Sequence, residues 1–226
     1  MDFMGVARMI TKEYNIEDLK LNYFVAINQI KLTNKNFTLN QLFDLIENIQ
    51  APYKGSVLQF FNDKYVLNQD HIFTACYFVQ KAFLHTINIS KKKNLELFLY
   101  LSTKRQIKLG IESFGITEKE LEKGELNYCI ISPENNIDEI NDILINNLGG
   151  IEVDFTLDVK TEEKYNRIKN FFEISDNQII AILNSYGLKA GNKLMFDQEI
   201  DDLYTSLHDL ICEKMALLSL EKFKVH

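Results

Sequence analysis

The chain is poor in the residues that interrupt regular structure or build disulfide frameworks. It has two prolines and nine glycines among 226 residues, and no stretch of its sequence has the composition of a linker. Its three cysteines, Cys76, Cys129 and Cys212, are odd in number and far apart in sequence. They predict reduced, buried thiols rather than a disulfide framework. Because 46% of the residues are hydrophobic, we expect one domain with an ordinary apolar core.

Long apolar runs are also missing. No run of the sequence approaches the ~20 residues that a membrane-spanning helix needs. Asp2 and Arg8 interrupt the start of the chain, so no signal peptide is predicted there. We therefore expect a cytoplasmic protein that does not contact a membrane.

The sequence lacks the recurring motifs of catalytic and metal sites. It contains no Cys-x-x-Cys, His-x-x-x-His or Gly-x-Ser-x-Gly pattern. His71 and His85 fall on one predicted helix but are separated by ~21 Å at 1.5 Å per residue, too far to share a metal. We accordingly expect no catalytic residue, no metal and no cofactor, and a protein that acts by binding.

The charge is acidic overall but unevenly distributed. A net charge of −7 argues against a protein whose whole surface binds nucleic acid. Residues 81–108, however, carry +6, which leaves −13 for the remainder. The basic side chains of this segment are Lys81, Lys91, Lys92, Lys93, Lys104, Arg105 and Lys108.

Predicted strands alternate with predicted helices along the chain. This order favours an α/β (α+β) fold with a mixed central sheet, packed helices and a single compact domain. Strands are predicted at residues 23–30, 56–61, 95–101 and 126–131. Helices are predicted at residues 39–49, 71–84, 103–115, 137–148, 162–172, 175–183 and 198–222.

Two of the predicted helices, at residues 71–84 and 198–222, are apolar over more than one face. A helix of this kind is buried on two sides. Either other parts of the same chain cover both faces, or one face binds another protein. The sequence alone leaves both interpretations open.

Residues 70–116 resemble the central block of the smallest, kinase-binding subunit of the KEOPS complex. The resemblance is based on four short segments: the turn at residues 88–90 (NIS), residues 96–101 (ELFLYL), residues 102–107 (STKRQI) and residues 114–116 (FGI). Residues 128–131 (YCII) and 213–221 (EKMALLSLE) fit the same family. The resemblance covers residues 21–222, so we expect residues 1–20 to be an N-terminal extension and residues 21–226 the family domain.

The resemblance implies a non-catalytic subunit of the machinery that makes threonylcarbamoyladenosine in tRNA. Such a subunit binds the atypical kinase/ATPase subunit directly and reaches the threonylcarbamoyl transferase only through that kinase. It also helps to recruit tRNA through the 3′ CCA end. The alternatives are a structural or regulatory kinase-binding protein that does not contact RNA, and an unrecognised enzyme.

The resemblance and the residue patterns together suggest two sets of site residues. The helices with several apolar faces suggest kinase-binding residues at Phe73, Tyr77, Leu210, Ile211, Met215 and Leu218. The basic segment suggests tRNA-binding residues at Lys104, Arg105, Gln106, Lys91, Lys92 and Lys93. Residues 102–106 are favoured because they precede a predicted helix N-terminus, where backbone N–H groups bind phosphate. Gln106 is a candidate for reading the edge of an unpaired base, whereas residues 91–93 are better explained as a solvated turn.

Overall fold

The computed structural model describes residues 9–33, 36–188 and 196–220, and of residues 196–199 only the backbone. The predicted α+β class is confirmed. The strands are β1 (Ile10–Ile16), β2 (Leu21–Leu32), β3 (Val57–Phe61), β4 (Glu125–Ser132) and β5 (Gly150–Glu152). The α-helices are α1 (Leu39–Gln50), α2 (Gln69–Leu84), α3 (Lys93–Ser102), α4 (Ile107–Phe114), α5 (Glu118–Lys123), α6 (Ile137–Leu148), α7 (Glu162–Phe171), α8 (Asp176–Ser185) and α9 (Phe196–Leu220).

Two predictions about the elements were wrong. Residues 95–101, predicted as a central strand, lie in the helix α3. Both a buried strand and a buried helix are apolar on every side, so this short run did not distinguish them. The second wrong prediction is the mixed sheet. Every described strand pair is antiparallel. The predicted end of the last helix, at residues 221–222, lies outside the described residues.

Backbone contacts divide the chain into two compact units, each made of two segments. Unit 1 comprises Met1–Asp63 and Phe114–Thr156, and unit 2 comprises Lys64–Ser113 and Leu157–His226. Each unit is therefore completed only by a segment that follows part of the other unit in sequence.

Unit 1 contains the sheet. Its strand order is β1-β2-β4-β3, and β5 pairs with the end of β2 at the edge that β1 leaves open. The residues expected to be an extension thus contribute β1, which pairs with β2 from Ile10 opposite Ile27 to Ile16 opposite Leu21. Helices α1 and α6 pack on the sheet through Leu42, Ile46, Ile140 and Leu144. Because these side chains recur at helical spacing, each helix buries one face.

A cluster of polar side chains is buried beneath α6 in unit 1. The amide of Asn28 donates to the Tyr128 hydroxyl at 3.0 Å and to Oε1 of Glu152 at 2.7 Å. The hydroxyl of Tyr128 donates to Oδ1 of Asn141, whose own amide donates to Glu152. Burial raises the pKa of Tyr128, so the hydroxyl stays protonated and keeps donating. The cluster joins β2, β4, β5 and α6.

Unit 2 is helical in its described residues. Helix α2 packs against α3 and α9, and α9 also contacts α7 and α8. The whole segment from Glu96 to Ser102 in α3 is buried, as are Ile211 and Met215 in α9. The Tyr100 hydroxyl and Oγ of Ser219 are 2.9 Å apart, which ties α3 to α9. Unit 2 is therefore built around α2 and α3, most of whose residues are buried or half-buried.

Candidate functional site

A pocket of about 340 Å³ opens at the carboxyl end of α3. Three of its lining residues are cationic: Lys104 and Arg105, which follow α3, and Lys214, which comes from α9. The apolar side chains that line it are Phe172, Leu217 and Leu218, and Thr103 completes the wall. A concave site with cationic groups and some apolar lining suits a ligand that has both an anionic part and an apolar part.

The local sequence explains how Lys104 and Arg105 reach the pocket. Helix α3 ends at Thr103, whose φ of 54° is in the left-handed region and turns the chain. The backbone N–H of Lys104 then donates to the hydroxyl of Ser102 at 3.3 Å. Arg105 and Gln106 are exposed and lie immediately before the first residue of α4. Residues 102–106 precede a helix as expected, but that helix begins at Ile107 rather than near residue 103, because Thr103 caps the end of α3.

Lys104 already has an anionic neighbour. Its ammonium lies 3.0 Å from Oε1 of Glu173, which follows Phe172 in the turn between α7 and α8. The Lys104 hydrogen bond holds the pKa of the Glu173 carboxyl below its usual value. Glu173 is therefore ionised at neutral pH, and one negative charge lies beside the cations of the pocket.

The second basic group, residues 91–93, lies at the opposite end of α3. The ten residues of that helix separate it from the pocket by about 15 Å, so the two basic groups do not form one patch. Lys91 and Lys92 are exposed. Lys93 is half-buried, and its ammonium donates to Oε1 of Gln80 at 2.7 Å. Burial lowers the pKa of Lys93.

Glu96 holds the turn that carries these lysines. Its carboxylate is fully buried and accepts the backbone N–H groups of Ile89, at 3.0 Å, and of Ser90, at 2.6 Å. The short motif at residues 88–90 and the acid at position 96, both part of the family resemblance, are thus one hydrogen-bonded unit.

The residues expected to bind a kinase are mostly buried within unit 2. Phe73, Leu210, Ile211, Met215 and Leu218 are at most 5% exposed. Tyr77 is half-exposed, and its ring packs edge-on against Phe78. Among these six residues, only Tyr77 offers substantial surface to another protein.

Helices α2 and α9, which carry these six residues, also have large apolar side chains that are exposed. Leu217 and Leu220 of α9 are 48% and 56% exposed, and Leu84 ends α2 with 44% exposed. Leu217 also lines the pocket, whereas Leu84 and Leu220 are not among its lining residues. These side chains, rather than the buried ones beside them, are available for docking.

The described residues offer little for covalent or metal chemistry. Burial raises the pKa of the Cys212 thiol to about 11, so this thiol is protonated at neutral pH. Within residues 9–33, 36–188 and 196–220, no three His, Cys, Asp or Glu side chains come together as a metal site. No helix in that part of the chain combines the length and the apolar character of a membrane span.

Fold and pocket together define an α+β protein with a small cationic pocket and with exposed apolar side chains on several of its helices, α2 and α9 among them. The model of the family described as kinase binding protein CGI-121 matches residues 12–219 of the chain. The chain belongs to this kinase-binding family. The match confirms the resemblance, which was expected over residues 21–222 and is shown over residues 12–219. A comparison with curated proteins gave no match.

Several residues of the pocket were not predicted from the sequence. Lys214, Phe172 and Leu217 line it, and Glu173 pairs with Lys104, but none of the four was predicted as a site residue. Phe172 and Lys214 are separated from Lys104 by more than sixty residues in sequence. No local pattern joins residues so distant, and only the packing of α9 and of the α7–α8 turn on the end of α3 brings them together.

Proposed function

We propose that the protein is a non-catalytic subunit of the KEOPS tRNA-modifying complex, which binds the atypical kinase/ATPase subunit and helps to recruit tRNA through its 3′ CCA end. The observation that carries the proposal is the match to a kinase-binding family over residues 12–219. The threonylcarbamoyl transferase would then be reached through the kinase, without direct contact. No cofactor is required for either binding role.

The proposed kinase-docking surface consists of the exposed apolar side chains of α2 and α9. Leu84, Leu220 and the half-exposed Tyr77 are its members, and burying them against a partner would remove apolar surface from water. The buried residues Phe73, Leu210, Ile211, Met215 and Leu218 would support this surface from below. Changing them would test folding rather than docking.

A binding assay with the predicted kinase partner tests the docking surface. Leu220→Glu and Tyr77→Ala should each weaken binding at least tenfold, because the first would place a charge in the apolar contact and the second would remove an aromatic contact. Val159→Glu is the matched control, since Val159 is equally exposed but lies in the loop before α7. Wild-type affinity in both docking variants would rule out this surface.

The proposed RNA site is the pocket at the end of α3. Lys104, Arg105 and Lys214 supply positive charge for phosphates, and Phe172 and Leu217 supply an apolar floor for an unpaired base. Gln106, exposed beside them, is available to hydrogen-bond a base edge. The exposed Lys91 and Lys92, with Lys93 beside them, would contact the RNA backbone farther away.

Charge reversal at the pocket tests the RNA site. Lys104→Glu with Arg105→Glu should weaken binding of tRNA that ends in CCA, and the slope of log K against log salt should fall by about 1.4 if each cation contacts one phosphate of a single strand. Lys91→Glu with Lys92→Glu has the same charge change at the other end of α3 and should have a smaller effect. If neither pair changes tRNA binding while the kinase still binds, the protein is a kinase-binding subunit without RNA contact.

A third experiment addresses catalysis. The purified chain without the kinase should show no nucleotide hydrolysis above buffer. Turnover that persists through purification in the absence of the kinase would identify an enzyme instead.

A further inference from the structure

Glu173 is an acidic residue held against a cationic pocket by its neighbours. Phe172, which lines the pocket, and Ile174 are both buried and fix the backbone on either side of it. The backbone N–H of Glu173 donates to the carbonyl of Asn170, and that of Ile174 donates to the carbonyl of Lys169. The position of residue 173 is therefore set by the packing of the α7–α8 turn.

The side chain of Glu173, by contrast, is held only weakly. It is 76% exposed, and the Lys104 side chain that it pairs with is 35% exposed. Ion pairs with this degree of exposure contribute little to stability and are weakened by salt. The carboxylate can leave Lys104 by rotating about its own side-chain bonds, without any change in the backbone.

The geometry gives Glu173 the position that an anionic group of a ligand would take. Its carboxylate is 3.0 Å from Lys104 and also interacts electrostatically with Lys214, so it faces two of the three cations of the pocket. A phosphate that bound Lys104 would have to displace it or tolerate its negative charge.

We propose that Glu173 is a built-in competitor that occupies Lys104 when no anionic ligand is bound and is displaced by an RNA phosphate. This inference depends on the proposed function, because it takes the ligand of the pocket to be RNA. The consequence is selectivity. A lone phosphate gains little by exchanging one anion for another at Lys104, whereas an RNA end gains additional contacts with Arg105, Lys214 and the apolar floor.

Glu173→Gln tests the inference, because glutamine keeps the shape of the side chain and removes its charge. With a single-stranded RNA oligonucleotide ending in CCA as the probe, the affinity of this variant should rise about 5-fold at low salt. The slope of log K against log salt should become steeper, because salt also weakens the competing Glu173–Lys104 ion pair in the wild type and so offsets part of the salt effect on RNA binding. Asp201→Asn is the matched control, since it removes an exposed acid that pairs with Lys160 at 2.5 Å.

A second background separates competition at Lys104 from a general charge effect. In Lys104→Gln protein, adding Glu173→Gln should give less than half of the gain seen with Lys104 present, because the competed cation is gone.

Two results would overturn the inference and can be told apart. If Lys104→Gln weakens RNA binding but Glu173→Gln leaves affinity and salt slope unchanged, the competitor role is wrong and the RNA site stands. If Lys104→Gln binds the oligonucleotide as tightly as the wild type, the pocket is not the RNA site, and both proposals fail together.

Discussion

Glu96 is the only acidic residue in the basic segment of residues 81–108, and its environment shows why an acid stands there. The buried carboxylate accepts hydrogen bonds from the backbone N–H groups of Ile89 and Ser90. Its charge is therefore used to fix a turn. Lys91 and Lys92 are presented to solvent on the turn that it fixes.

Replacing Glu96 with Gln should loosen this turn. The amide oxygen can keep the contacts that Oε2 of Glu96 makes with the N–H groups of Ile89 and Ser90, but without the negative charge these hydrogen bonds are weaker. The amide NH2 would replace Oε1, which also accepts from Ile89, and would set two donors against each other, at a total cost of about 1–3 kcal/mol. Chemical unfolding should show the loss of stability, and brief trypsin treatment should cut faster after residues 91–93. Glu112→Gln, an exposed acid-to-amide change on α4, should alter neither result.

His71 has a comparable structural role, with consequences for pH. Its Nδ1 accepts the backbone N–H of Leu67 at 3.2 Å, and its Nε2 donates to the carbonyl of Leu101 at 3.1 Å. A second proton on Nδ1 would point at the Leu67 N–H. Burial, and to a lesser degree the charge of His208, lowers the pKa of His71 to about 3.

The stability of the protein should therefore fall in mild acid, in part because of His71. Between its ordinary pKa and about 3, the unfolded chain binds a proton that the folded one does not, so stability is lost as the pH falls through this range. From pH 7 to pH 5 the loss due to His71 is about 2 kcal/mol. Urea unfolding of His71→Gln at both pH values should lack this part of the decrease, and an identical decrease in wild type and variant would contradict the assignment.

At the scale of elements, most helices were predictable because each buries one face. The periodicity of α1 and α6 predicted their positions closely. The prediction for α3 was wrong because residues 96–102 of this helix are all buried, so their sequence shows no helical periodicity. The short elements β5 and α5 were not predicted, since three to six residues carry too little pattern.

The approach of α4 to α3 depends on Gly110. A Cβ at this position would lie 3.0 Å from the carbonyl oxygen of Phe98 and 3.1 Å from its carbon, and neither backbone atom can move away easily. A glycine-to-alanine change in a helix ordinarily stabilises by roughly 0.5–1 kcal/mol. Here Gly110→Ala should instead destabilise by about 1–3 kcal/mol in urea unfolding. Lys108→Ala, on the exposed face of α4, should change stability by less than about 0.5 kcal/mol.

For the whole molecule, the acidic and basic residues are divided between the units. Unit 1 has 17 acidic and 8 basic residues, a formal charge of −9, whereas unit 2 has 15 acidic and 17 basic residues, or +2. The sequence revealed the basic segment because its lysines are neighbours along the chain. It did not reveal the pocket, because Lys214 joins Lys104 and Arg105 only in the folded unit 2. A polyanion is repelled by unit 1 and meets no such net repulsion from unit 2.

The alternation of the chain between its two units also bears on how it folds as it is synthesised. Strand β4 pairs with both β2 and β3, so the sheet cannot close until residue 132 has emerged from the ribosome, although β1 to β3 are complete by residue 61. Helices α2 and α3 pack against α9, which ends at residue 220, so their contacts with α9 form later still. Through most of translation the apolar faces that α2 and α3 turn toward α9 remain uncovered. We therefore expect the nascent chain to bind chaperones.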